Sequence, residues 1–249
     1  MQGVVIFVYL AVLTVIEYFI AVAFDAVPLL IVVAAIKAGL VMYYYMHIYK
    51  LNEDDGEDQH SYRYKSGTNR IGLWLFLLSD SFVFAGLMAM RANLLGLTRP
   101  HLNQVLGLAV TAILLVSSFF MNRGETAMKH GDKKAFMTNT LITFLLGLGF
   151  LLGVVFVEWR QAAHEGLTAD FGNPVSGPMG GVFYMMTGMH AFHVLTGLIF
   201  LFVVWNNARK GLYTAEQHYP VEAAAVYWHF VDLVWIFFYP ALYLIGTAV

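Results

Sequence analysis

Seven apolar runs separated by polar or charged stretches dominate the chain, at about 4–23, 28–49, 70–92, 102–121, 137–158, 179–205 and 223–248. Each reaches the roughly 20 residues that a helix needs to cross a bilayer core. The runs are continuous rather than alternating, so they read as helices and not as barrel strands. A helix also satisfies its own backbone groups where lipid offers no partner. The expected fold is therefore an all-α polytopic membrane protein with seven transmembrane helices.

The connections are short except at 50–69, 122–136, 159–178 and 206–222. The first long one holds Asn52-Glu-Asp-Asp-Gly-Glu-Asp-Gln-His60, which reads as a solvated charged linker. It divides the chain into a two-helix hairpin (1–50), a linker (51–69) and a five-helix bundle (70–249). Lys50, Arg63, Lys65, Arg70, Arg123, Lys129, Lys133, Lys134, Arg209 and Lys210 fall on one side of the predicted topology, and Arg91, Arg99 and Arg160 on the other. Basic loops stay inside, so the N-terminus is expected in the cytoplasm and the C-terminus outside. The first residues, Met-Gln-Gly-Val-Val, lack a basic region and a cleavage site, and the first span reads as retained. Gly149-Phe-Leu-Leu-Gly153 has the small-residue spacing of a close helix approach. Trp74, Trp159, Trp205 and Tyr213 stand near span ends, as an interfacial belt requires. Trp228 and Trp235 lie deeper, where they are expected to pack against other helices.

Composition agrees with this picture. The chain has 249 residues, 59% hydrophobic and 12% charged, with mean hydropathy +0.68; soluble domains carry about 25% charged residues. A net charge of −2 argues against nucleic acid as a partner. There is no cysteine, which excludes disulfides, iron–sulfur clusters and thiolate metal sites.

The candidate chemistry lies in ionisable residues inside the runs: Glu17, Lys37, Asp80, His190 with His193, and His229 with Asp232. A charge at the bilayer centre costs about 2.5–3.5 kcal/mol on insertion scales, so such groups face the bundle interior and have partners. Glu17 and Lys37 reach similar depth on antiparallel spans and read as a hairpin ion pair. A contact from either to a partner subunit is the alternative. Asp80, His190 and His193 also share a depth, and the i, i+3 spacing sets both imidazoles on one helix face. A bond from Asp80 to one of them is expected. His229 and Asp232, again i, i+3, can partly satisfy each other. Together these five form an expected buried polar network. Glu158 and Glu222 stand at span ends and read as interfacial carboxylates.

Three uses of the network are open: a structural hydrogen-bond scaffold, a proton or ion relay that makes the chain an independent transporter, and a metal or heme site. The last lacks Glu-x-x-His or His-x-x-x-His spacing. Nucleophile arrangements are absent, Gly147 and Gly149 sit inside an apolar helix rather than a nucleotide loop, and His164-Glu165 has no second histidine at metalloprotease spacing. No catalytic, cofactor or metal residue is assigned.

Four segments nevertheless resemble subunit III of heme–copper respiratory oxidases. They are Gly72-Leu-Trp-Leu-Phe-Leu-Leu-Ser-Asp80-Ser-Phe-Val-Phe-Ala-Gly86; Ser117-Ser118 with Gly131-Asp132; Phe183-Tyr-Met-Met-Thr-Gly-Met-His190-Ala-Phe-His193-Val-Leu-Thr-Gly197; and Glu222-Ala-Ala-Ala-Val-Tyr-Trp-His229-Phe-Val-Asp232-Leu-Val-Trp235. The hairpin, with Glu17, Lys37 and Met46-His47, is similar to bacterial oxidase subunit IV, so the chain resembles a fusion of IV and III. The resemblance implies a non-catalytic accessory subunit in a bacterial cytoplasmic (inner) membrane, within a proton-pumping, oxygen-reducing complex. It would pack on subunit I, with subunit II nearby, hold structural phospholipid, and support proton uptake, oxygen access and enzyme lifetime. Heme and copper would belong to the partner subunits. Many cytochrome c oxidases carry glutamate where this chain has Asp80, and aspartate is more familiar in quinol-oxidase forms, so the electron donor stays open.

Overall fold

The computed structural model describes residues 2–24, 26–52, 61–168 and 176–248. The acidic core of the expected linker, 53–60, lies outside them. Seven helices are long and apolar enough to cross a membrane: α1 (Gln2–Phe24), α2 (Val27–Tyr45), α3 (Tyr62–Leu95), α4 (Gln104–Lys129), α5 (Lys133–His164), α6 (Ser176–Arg209) and α7 (Tyr219–Leu244).

Several helices run past the apolar runs that announce them. α3 begins at Tyr62, inside the expected linker, because Ser61 caps it by accepting the Tyr64 N–H at 3.1 Å. α4 extends to Lys129 and α6 to Arg209. Hydropathy marks where lipid ends, and a helix need not stop there. Sharper ends have chemical causes. Asn103 caps α4 through Val105 and Leu106. Asp132 caps α5 through Ala135 at 3.0 Å, just after Gly131 turns the chain at φ +76°. Pro28 and Pro220 fall in the first turns of α2 and α7, where a missing N–H costs no intrahelical bond.

Among the described residues three π-helical turns interrupt the spans: Val41–Tyr45 in α2, Gly153–Glu158 in α5 and Pro240–Leu244 in α7. The last opens with Pro240, whose missing N–H costs no bond within the turn it begins. The backbone widens, and the Ile245 N–H bonds the Pro240 carbonyl at 2.9 Å.

α7 is the axis of the bundle: 83% of its apolar window is buried, against 17% for α3. It packs against α2, α3, α4 and α6, while α4 and α5 pair along their length and α1 lies on α2 and α4. The hairpin is thus seated on the bundle. The close approach predicted at Gly149 falls elsewhere. A Cβ on Gly149 would meet nothing within 4 Å, whereas one on Gly147 would lie 2.3 Å from the Trp228 ring and one on Gly197 2.9 Å from it. Gly149 faces outward, and Gly147 and Gly197 make room for the indole of the central helix. Trp228 and Trp235 are buried, donating to Ser117 Oγ and Thr111 Oγ1, each at 2.9 Å.

At the end opposite the lysine-rich loops, Thr98–Arg99 pair in parallel with Thr247–Ala248. Arg91 holds this corner, donating to the carbonyls of Gly96 at 2.6 Å, Ile245 at 2.8 Å, Ala241 at 2.9 Å and Thr98 at 3.2 Å. Arg91, counted above as a loop cation, is buried.

Candidate functional site

The intramembrane polar residues form separate groups. On the α3–α6 contact, His193 Nε2 is hydrogen-bonded to Asp80 Oδ1 at 3.3 Å, with Oδ2 3.1 Å away. His193 Nδ1 lies 2.7 Å from the Met189 carbonyl, which only accepts, so this nitrogen carries a proton. The pair therefore shares a further proton: either Asp80 is protonated and donates, or His193 is cationic and donates. Phe84 covers the imidazole edge-on at 4.7 Å.

His190, expected in the same network, stands apart. Its ring is fully buried among Trp235 at 4.8 Å, Phe150 at 5.6 Å and Phe238 at 6.2 Å. Neither ring nitrogen has a hydrogen-bond partner among the described residues. The three-residue spacing puts the imidazoles on adjacent, not identical, azimuths, and the large aromatic side chains on α5 and α7 enclose the inner one.

A second group lies between the hairpin and α7. Lys37 and Glu17 form a buried ion pair. Asp232 lies within electrostatic reach of Lys37 and beside Ser118. His229 Nδ1 is 3.3 Å from Ser118 Oγ, and the His229 ring lies 4.9 Å from that of Tyr45. The adjacent serines thus serve the adjacent Trp228 and His229. His229 and Asp232 meet through Ser118 rather than bonding each other, because side chains three apart on a helix point along neighbouring directions.

The two expected interfacial carboxylates are buried instead, Glu158 at 4% exposure and Glu222 at 5%. Glu222 accepts from Lys50 Nζ and Arg70 Nε, both at 3.0 Å. Beside it, Lys129 Nζ lies 2.6 Å from the buried Glu125, and His47 Nδ1 is 4.0 Å from the same carboxylate. Burial lowers the pKa of His47 and Lys50; the nearby lysines lower it further, and Glu125 and Glu222 oppose the shift. Glu222 is covered because the 48–52 turn and the N-terminal extension of α3 bring Lys50 and Arg70 onto it, whereas Glu158, at the other end of α7, is enclosed beside Tyr243 and Ala162. Glu125 escapes the apolar-run pattern because it lies beyond the fourth run, although Glu125 and Lys129 carry the i, i+4 signature.

Among the described residues no cluster of three or more His, Asp and Glu can hold a metal ion. Apolar grooves of about 580 and 400 Å³ open on the bundle surface. The larger is lined by Leu73, Phe76, Phe200, Val203 and Ala223, the smaller by Phe84, Met88 and Phe237. Fold and site define a seven-span helical membrane protein with two intramembrane ionisable pairs, Lys37–Glu17 and Asp80–His193, among its described residues. The family model for cytochrome c oxidase subunit III matches residues 2–247, hairpin included. Cytochrome c oxidase subunit 3 of Thermostichus vulcanus is 36% identical over 182 residues, covering 70% of this chain and 86% of that relative. The Bacillus subtilis protein of the same name is 36% identical over 196 residues, covering 73% and 89%. The chain belongs to the cytochrome c oxidase subunit III family.

Proposed function

We propose that this chain is a non-catalytic accessory subunit of a heme–copper terminal oxidase in a bacterial cytoplasmic membrane. It packs on the catalytic subunit, which carries heme and copper together with subunit II, and it supports proton uptake, oxygen access and active lifetime. The family match over residues 2–247 carries this reading. The Asp80–His193 pair gives it a chemical focus: a carboxyl and an imidazole near mid-membrane share a proton and stay 14% and 10% exposed at the side chain, so a neighbouring subunit or lipid can reach them. The apolar grooves suit acyl chains, which supports bound phospholipid. The N-terminal hairpin acts as an integral subunit IV-like element, tied to the bundle where Lys50, just past α2, donates to Glu222 at 3.0 Å.

Depleting the chain from the oxidase tests the proposal. Initial oxygen consumption should persist while activity decays sooner during turnover. Immediate, complete loss of turnover in an otherwise assembled enzyme contradicts an accessory role.

A further inference from the structure

The start of α5 and the end of α6 lie side by side at the lysine-rich end. Lys133, the first residue of α5, donates from Nζ to the carbonyl of Arg209, the last residue of α6, at 3.3 Å. Only one of the three ammonium donors is used in that bond. The Arg209 guanidinium stands over the Trp205 ring at 5.8 Å, a cation–π contact. Trp205 is fixed in turn, its indole donating to the Met137 carbonyl at 3.2 Å. Two exposed cations are thereby held at one seam by the protein itself. Lys134 and Lys210 stand exposed beside them. The neighbouring Asp132 is occupied as the cap of α5, accepting from the Ala135 N–H.

An apolar groove of about 220 Å³ leads inward from this seam between α5 and α6, lined by Thr140, Leu141, Phe144, Leu201, Phe202 and Trp205. Phe144 and Phe202 meet across it at 6.4 Å. From Lys133 to Phe144 the helix rises about 16 Å, roughly half of a 30 Å hydrocarbon core. The groove therefore spans one leaflet, and its mouth, with Trp205 and two cations, stands at headgroup level. The two larger grooves differ. The one of about 580 Å³ ends at Tyr219 and Pro220, close to Glu222, which engages Lys50 and Arg70. The one of about 400 Å³ has no cation in its lining. Of the three, the α5–α6 groove joins an apolar trough to positive charge that no carboxylate among the described residues takes up.

We propose that the α5–α6 groove is a binding site for an anionic phospholipid. An acyl chain lies along Leu141, Phe144 and Phe202, and the phosphate sits between Lys133 and Arg209, where the ammonium and guanidinium donate to its oxygens. A zwitterionic lipid brings its own ammonium to the same mouth, and like charges there repel. The site thus selects for a head of net negative charge. Basic pockets between membrane helices suit such heads for this reason. The site needs the membrane-spanning fold but no partner polypeptide, so it stands or falls separately from the oxidase assignment.

The full-length chain in phosphatidylcholine nanodiscs tests this. A small fraction of the lipid is replaced by phosphatidylglycerol or phosphatidylcholine brominated high on the acyl chain, and tryptophan quenching is read. Brominated phosphatidylglycerol should reach half-maximal quenching at a mole fraction about fivefold lower than brominated phosphatidylcholine. That preference should vanish in Trp205→Phe, which removes the reporter, and in the double variant Lys133→Gln with Arg209→Gln. Arg123→Gln changes an exposed cation on α4 at the same end and should keep it, which separates a site from general surface charge. Circular dichroism checks that each variant retains its helices. Equal quenching by the two lipids in wild type overturns the site. So does a preference that survives in Trp205→Phe or the double variant, or one that Arg123→Gln also abolishes.

Discussion

Asp80 on α3 and His193 on α6 approach to 3.1 Å while the other imidazole nitrogen is committed to the Met189 carbonyl. One proton between them is therefore obligatory, and the two helices are joined by it. Asp80→Asn can still donate an N–H to Nε2, whereas Asp80→Ala leaves a mostly buried nitrogen unpaired, a loss of about 1–3 kcal/mol. Thermal unfolding in detergent should rank wild type and Asp80→Asn close together and Asp80→Ala below both. In the oxidase, Asp80→Ala should keep most of the initial turnover and shorten its lifetime.

The Lys37–Glu17 pair is fully withdrawn from solvent. Removing one partner strands the other charge, which costs about 3–5 kcal/mol. Glu17→Leu and Lys37→Met should each destabilise strongly, and the double variant much less than the sum. Unfolding midpoints of the three proteins check this; additive losses would mean the residues do not act as a pair.

Arg91 serves four carbonyls with one planar fork. Lysine has a single ammonium and cannot reproduce that geometry. Arg91→Lys should therefore loosen 96–99 and 245–248, read as faster amide exchange there, with the lysine-rich end unaffected.

The spans, the hairpin connection and the residues of the polar groups were legible from hydropathy and intramembrane charge. Partnership was legible only where depth decided it, as for Glu17 with Lys37 and Asp80 with His193. Azimuth decided the rest. His190 turns into a cage of Phe150 and Trp235, and Ser118 stands between His229 and Asp232. Glu158, Glu222 and Arg91 read as end residues because an apolar run marks lipid thickness, while burial there comes from neighbouring helices that extend beyond it.

His47 lies at the end of α2 at φ +52°, with its pKa lowered chiefly by burial; His218 is lowered for the same main reason. Below the ordinary histidine value of about 6.5 the unfolded chain takes up protons that the folded chain refuses, so stability falls as pH drops through that value. Melting temperatures between about pH 7 and 5 should decline in wild type and decline less in His47→Gln. Parallel curves would show that His47 is not a contributor.

The central claim is that a redox core lies in neighbouring polypeptides. Mild-detergent purification through a tag on this chain, followed by an absorption spectrum, metal analysis and oxygen uptake, tests it directly. The predicted result is a complex containing heme and copper that consumes oxygen, with the metals leaving when the partner subunits are stripped away. Recovery of this chain without any heme–copper core, or iron or copper retained by the isolated chain at His190, His193 or His229, would contradict it.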